Sequence, residues 1–349
     1  MKNITITIIL LTLCCQLYSQ TTAIPDANFE QALIDEGIDT NGLNGNILNV
    51  DAENTTSLIL TNRNISDVSG IEAFTNLTTL YLSQNNLTTL DVTNNLLLGN
   101  LVCWDNNLSS ITFAANTQLY NLACEENNLT SLDVSSLTSL SNLYCGDNAI
   151  TTLDVSANTA LLKLDIYNLA LTELDLSSNN NLQDLYCDNN QLTTLNLSDK
   201  PSFKRLSCKN NALTELNISN GNNTNVTLFR TDGNSELNCI TVDDEAYSTS
   251  NWANIDDHTS FSVSCDGSLS TTEINNDTSI SVYPNPVKDQ LNLSFPSTVD
   301  SIVIFNSLGE LVAKTSNENH IDLTDLKTGL YVVKIQVENK TITKKILHD

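Results

Sequence analysis

A repeat with a fixed step of 21 residues constrains this chain more than any other feature. The segments LTTLYLSQNNL, LGNLVCWDNNL, LYNLACEENNL, LSNLYCGDNAI, LLKLDIYNLAL, LQDLYCDNNQL and FKRLSCKNNAL begin at Leu77, Leu98, Leu119, Leu140, Leu161, Leu182 and Phe203. An irregular forerunner starts at Thr55, and a degenerate unit runs near Thr227 to Leu237. A second half-motif trails several units, as in LTTLDVTNN at Leu87 and LTSLDVSSL at Leu129. A unit this short cannot bury its apolar edge alone, so neighbours must stack into one continuous core. The alternation L-x-L or L-x-C marks a short strand with every second side chain inward. At about 4.8 Å per coil, eight coils make a rod on the order of 40 Å long.

Reading down the repeat gives columns. Asn85, Asn106, Asn127, Asn148, Asn190 and Asn211 share one place. Their amides can turn inward and satisfy main-chain groups of adjacent coils, where an unpaired polar group is costly. Leu169 interrupts this column, and Asn168 beside it is the expected substitute. Cys103, Cys124, Cys145, Cys187 and Cys208 form a second column, with Ile166 in the gap. A spacing of 21 is no zinc signature. In-register strands also hold neighbouring side chains too far apart for a relaxed bridge, so these thiols read as small buried hydrophobes. Asp91, Asp133, Asp154 and Asp175 form a third column. Thr and Asn replace Asp freely in it, which favours turn-capping over calcium. DTNGLNGN from Asp39 has the look of a calcium loop. Leu43 stands where a ligand belongs, so no metal or cofactor is assigned.

Charge and histidine content remove whole classes of function. The chain carries 41 acidic and 15 basic residues, net −26, which repels phosphate backbones and argues against nucleic acid. The three His lie at 258, 320 and 348, so no imidazole-dependent triad or zinc site fits in residues 1–257. The acidity is uneven: residues 21–278 hold 33 acids and 7 bases, against 8 and 7 in residues 279–349. At the front, Lys2 precedes the apolar run ITITIILLTLCC, which is too short to span a bilayer and suits a signal peptide over residues 1–19. No later stretch is long enough to cross a membrane. Export favours disulfides, and Cys239 and Cys265, outside the ladder, are expected to pair.

The pattern L-x-C-x-x-N-x-L-T-x-L-D-V-S over residues 55–238 resembles the short bacterial leucine-rich repeats. That resemblance implies a curved solenoid with parallel strands on one face, and a family that mostly binds other molecules. IPDANFEQALIDEGID resembles the N-terminal cap of such repeats, giving a cap over 20–54. Asp26 can cap a helix there, which Gly37 stops. The segment 239–265 leaves the period and carries Tyr247, Trp252 and Phe261, a C-terminal cap over the last coil. The fold class is thus mainly β, a solenoid of 21-residue coils, followed by a small antiparallel sandwich.

That last domain spans 279–349, after a polar linker over 266–278. It resembles the C-terminal sorting domain of the type IX secretion system of Bacteroidetes-type bacteria. The resemblance rests on VYPNPV with Pro284, Asn285 and Pro286, on NSLG at Asn306, on TGLYVVK with Gly329 and Tyr331, and on the terminal Lys344 and Lys345. It implies passage through the inner membrane, recognition by the type IX machinery, and delivery to the medium or the outer cell surface.

On the strand face, Tyr81, Trp104, Tyr144, Tyr167 and Tyr186 are expected to lie along one surface among Asp105, Glu125, Glu126, Asp147, Asp165 and Asp188. Aromatics in an acidic field suit a protein or glycan ligand. The periodic acids have no inserted loop to build a catalytic pocket, so a non-enzymatic binding or adhesion module is the expected function. The alternatives are a structural surface component without a specific ligand, or an accessory module of a secreted hydrolytic system.

Overall fold

The computed structural model describes residues 20–113, 118–265, 281–294, 300–316, 320–337 and 340–349. The expected leader (1–19) and linker (266–278) lie outside them. The chain divides at Cys265 into two units.

The first unit is the solenoid. Nine three-residue strands, from Ser57–Ile59 to Leu228–Arg230, form one parallel sheet in which each strand pairs with the next coil. Register is locked by the central residue of each strand: Leu58, Leu80, Leu101, Leu122, Leu143, Leu164, Leu185, Leu206 and Phe229 lie side by side. All are buried, as are the five ladder cysteines, which carry free thiols. A slip of one residue would turn this whole row to solvent, which is why the register is so firmly specified.

The asparagine column explains how the turns stay joined. Asn127 Nδ2 donates to the carbonyls of Cys103 (3.1 Å) and Cys124 (3.1 Å), while its Oδ1 accepts from Leu108 N (2.9 Å). Asn106 and Asn190 repeat the pattern on Leu82 O and Ile166 O, with Leu87 N and Leu171 N as donors. Each amide thus satisfies its own turn and two groups of the preceding coil. Asn168 does not fill the gap at Leu169. It sits at φ +52° and donates to Asp147 Oδ1, while Leu169 is buried. The one-residue offset places Asn168 in the left-handed position of the turn, facing outward. That position recurs at Gln84, Asp105, Glu126, Asp147, Asn189 and Asn210, all with φ between 49° and 59°. Asn and Asp tolerate it best.

A second interior amide column stands on the other side of the coil. Asn95, Asn158 and Asn179 are fully buried; Asn158 Nδ2 donates to Val134 O (3.0 Å) and Leu137 O (2.8 Å). Lys200 takes the next place, buried, with its amine on Asp199. The Asp column caps turns: Asp91, Asp133, Asp154 and Asp175 each accept the N–H two residues on.

At the front, the helix Ala27–Asp35 is capped by Asp26, which accepts from Asn28 N and Phe29 N. At the rear, the segment 239–265 keeps more of the solenoid than its sequence suggests. Strands Cys239–Thr241 and Ser260–Ser262 extend a parallel sheet begun by Thr194–Asn196 and Glu215–Asn217. Main-chain pairing continues the stack after the leucine pattern fades, because the ladder bonds require no particular side chain. Trp252 stacks on Phe229 at 4.1 Å and meets Phe261 edge-on, closing the apolar end. Cys239 and Cys265 are disulfide-bonded.

The second unit has two antiparallel sheets sharing one core, built on Leu291, Ile302, Ile304, Val333, Ile335 and Ile346. The hairpin Gly329–Val337 with Lys340–His348 is its longest pairing. Asn285, between the cis bonds Tyr283–Pro284 and Asn285–Pro286, donates to Lys345 O and accepts from Leu347 N. Tyr331 is buried, with its hydroxyl donating to Lys327 O (2.7 Å). Lys344 is half-buried and Lys345 exposed on the last strand. Among the described residues no helix is long and apolar enough to cross a membrane.

Candidate recognition face

The five aromatics fall into two columns of the long sheet's outer face. Tyr81, Tyr144 and Tyr186 end their strands, while Trp104 and Tyr167 sit two places further on, in the following turn. All five are half-buried, so part of each side chain is covered by the solenoid and part is open to solvent. Tyr81 accepts a hydrogen bond from Asn100 Nδ2 (3.0 Å). It belongs with Trp104 at the front of the solenoid, two to five coils away from the others.

Tyr144 and Tyr186 flank the strand Lys163–Asp165 from the coils before and after it. Lys163 Nζ lies 4.6 Å from the Tyr144 ring centre and 5.1 Å from that of Tyr186. This cation held between two rings fixes both tyrosines, each contact contributing about 0.5–1 kcal/mol. Asp165 shares the row with both rings, and its Oδ1 is buried without a partner. Two coils earlier, Glu125 Oε2 is also buried without a partner. Burial holds the Glu125 carboxyl up at about 7, with the nearby Asp165 and Glu126 charges adding to it. Burial likewise raises Asp165 to about 6, against the pull of Lys163. In protonated form such a carboxyl both donates and accepts, which suits hydroxyls or peptide groups.

Tyr167 is placed by a glycine. A Cβ on Gly146 would come within 2.4 Å of the Tyr167 ring, so only glycine lets that ring lie flat over the preceding coil. Burial, with Asp147 beside the hydroxyl, pushes the Tyr167 phenol well above its ordinary range. Tyr120 repeats the arrangement over Gly99, 3.0 Å from a Cβ there, and is 49% exposed. Sequence reasoning missed Tyr120 and Lys163. The signal for Tyr120 was present: a glycine one full repeat before a tyrosine occurs at Gly99/Tyr120 and again at Gly146/Tyr167.

Residues 281–349 match the family model of the secretion system C-terminal sorting domain. The chain therefore ends in a type IX sorting domain and is exported, to the outer cell surface or the medium. Among solved structures, the functional domain of InlJ from Listeria monocytogenes, which includes a cysteine ladder, is similar at 20% identity; the match covers 95% of this chain and 99% of that one, with TM-score 0.33. Internalin C2 of the same species is similar at 20% identity, covering 63% and 97%, with TM-score 0.47. A leucine-rich repeat protein of Leptospira interrogans is similar at 20% identity, covering 54% and 62%, with TM-score 0.39. No curated protein matches the chain.

Proposed function

We propose that this exported leucine-rich repeat protein is a non-enzymatic binding or adhesion module. Its ligand is a protein or glycan met at the cell surface. The solenoid makes the contact, and the C-terminal unit is read by the type IX machinery, with Asn285, Tyr331, Lys344 and Lys345 within the part it reads. The observation that carries the reading is a pair of carboxyl oxygens left without partners: one on Asp165, in the row of Tyr144 and Tyr186 and beside Lys163, and one on Glu125, two coils earlier in the turn column of Trp104 and Tyr167. A native surface rarely leaves buried polar atoms unpaired unless something else completes them. Pre-set aromatic rings add contact area at little entropic cost. Tyr167 extends this patch; Tyr81 and Trp104 form a second contact zone for a ligand long enough to reach it.

The test is a glycan array together with a surface-protein pull-down, run on the wild-type chain and on the double variant Tyr144→Ala/Tyr186→Ala. The double variant should bind any ligand found at least tenfold more weakly, about 1.4 kcal/mol. Ligands retained with unchanged affinity would move recognition off this face, and no reproducible ligand at all would favour the purely structural role.

A further inference from the structure

The segment from Asp39 to Asp51 in the N-terminal cap follows the helix Ala27–Asp35 and runs into the first turn of the helix Asn49–Asn54. Read continuously, its sequence fails as a calcium loop at Leu43. In the structure Leu43 is 59% exposed, turned out of the loop between Gly42 and Gly45, both at positive φ. Passing over that one extruded residue restores the spacing D-x-N-x-N-G-x5-D, with Asp39, Asn41, Asn44, Gly45 and Asp51 in the places the helix–loop–helix calcium motif requires and Asp for Glu at the end.

Two oxygens in the loop have no partner. Asp39 is 5% exposed; its Oδ1 accepts from Asn41 N (3.0 Å), and its Oδ2 is buried with nothing bound to it. Asn41 donates through Nδ2 to Asn46 Oδ1 (3.0 Å), leaving its own buried Oδ1 unpaired. The other polar groups here are already engaged. Glu30, 2% exposed, accepts the N–H groups of Asn44, Gly45 and Asn46 at 2.7, 2.6 and 3.0 Å. Asp51 Oδ2 accepts from Thr40 N and Oγ1 at 3.1 and 2.7 Å. Asn44 Oδ1 accepts from Asn46 N (3.1 Å).

The charge balance points the same way. No Lys, Arg or His occurs from Gln20 to Asn62, and the first cation, Arg63, is paired with Asp35 and Glu36 at 3.1 and 2.8 Å. Among the described residues no three carboxylate, thiol or imidazole side chains close on one point, which disfavours zinc. A mixed set of carboxylate, amide and main-chain oxygens is what calcium accepts; magnesium demands stricter geometry and gives up water reluctantly.

We propose that this loop binds one calcium ion, with Asp39 Oδ2 and Asn41 Oδ1 as its two prepared ligands. Main-chain carbonyls, Asp51 and water complete the shell. The ion fastens the cap over the first coils once the protein reaches a calcium-containing exterior.

The test is calorimetric titration of the full chain with CaCl2, paired with thermal melts in CaCl2 or chelator. The expected result is one saturable site with Kd of about 10⁻⁵–10⁻³ M and a melting temperature raised by calcium. MgCl2 should bind at least about tenfold more weakly. Asp39→Asn should weaken calcium binding about tenfold or more, whereas Asp175→Asn, in the turn column, should leave it unchanged. Asn41→Asp adds a carboxylate at a ligand place and should tighten binding several-fold, an effect that misfolding cannot imitate. No saturable heat up to about 10 mM CaCl2, wild-type affinity in Asp39→Asn, or unchanged or weaker binding in Asn41→Asp would overturn the site.

Discussion

The two units of this chain reach a β-structure core by opposite routes. In the solenoid, like residues sit beside like: leucine on leucine, cysteine on cysteine, and an asparagine bonded to groups 19 and 24 residues back. Each coil depends on its neighbours, so stability approximates a sum over adjacent pairs. A gap such as Ile166 or Leu169 is therefore absorbed locally. In the C-terminal unit the strands are antiparallel and no position repeats; Asn285 ties the start of the domain to its last strand across 60 residues. The charge follows the architecture. Residues 21–278 carry 33 acids to 7 bases, with a wide acidic outer surface, while residues 279–349 are nearly balanced at 8 to 7. A periodic unit fixes its interior by repetition and leaves its outer face free to vary. A single-copy unit must use nearly every residue to define itself, which suits a fixed address signal.

The comparison breaks most readily at one amide. Asn127→Leu strands Cys103 O, Cys124 O and Leu108 N in the interior and should cost the solenoid about 3 kcal/mol. Val333→Ala, at a fully buried position of the C-terminal hairpin, should cost its own unit about 2 kcal/mol. In calorimetry each should lower only one of two transitions; a shift of both would show that the units do not unfold separately. Cys145→Ser places a hydroxyl among buried thiols and leucines and should cost about 1–2 kcal/mol, whereas Cys145→Ala should cost less, read by urea unfolding.

The smallest effect is the pH dependence of the recognition face. Glu125 at about 7 and Asp165 at about 6 stand above their ordinary values of 4.5 and 3.8, so the folded state keeps protons that the unfolded chain releases. Their contribution is complete below about pH 4 and is lost as pH rises through 6 and 7. After discounting for partial solvent access, the solenoid should lose on the order of 1 kcal/mol between pH 5 and pH 8. Glu125→Gln should flatten that slope. Asp133, Asp154 and Asp175 act in the reverse sense, because hydrogen bonds from Ser135, Ser156 and Ser177 hold them low. Their support fades only as pH falls below the usual carboxylate range. A slope unchanged in Glu125→Gln would remove the buried carboxyl from the account.

What the sequence reveals about this fold follows from what the repeat repeats. The leucine row, the cysteine column and the 21-residue step are properties of every coil, so chance variation at one position cannot hide them. Features that depend on one offset are harder to see. Asn168 is one residue from the ladder, yet that residue separates an inward amide from a left-handed turn position. The column Asn95, Asn158 and Asn179 was hidden within Asn-rich turns, and nothing in composition suggests that Lys200 continues it. The continued pairing of 239–241 and 260–262 leaves no side-chain signature, since main-chain bonds carry it. On the recognition face the aromatics and acids were legible, but their grouping was not. Lys163 draws Tyr144 and Tyr186 together, and a single lysine within an acidic repeat gives no pattern to read.

Coils stacked in register around a closed interior leave one outer face open, and the proposed recognition depends on that arrangement. Thiol labelling of the folded chain, followed by mass spectrometry across a urea series, tests this most directly. Burial raises the thiols of Cys103, Cys124 and Cys145 far above their ordinary range. The predicted result is no label on Cys103, Cys124, Cys145, Cys187 or Cys208 before the solenoid transition and all five labelled across it, with Cys239 and Cys265 still bridged. Labelling of any ladder cysteine in the native protein at the rate of an exposed thiol would contradict it.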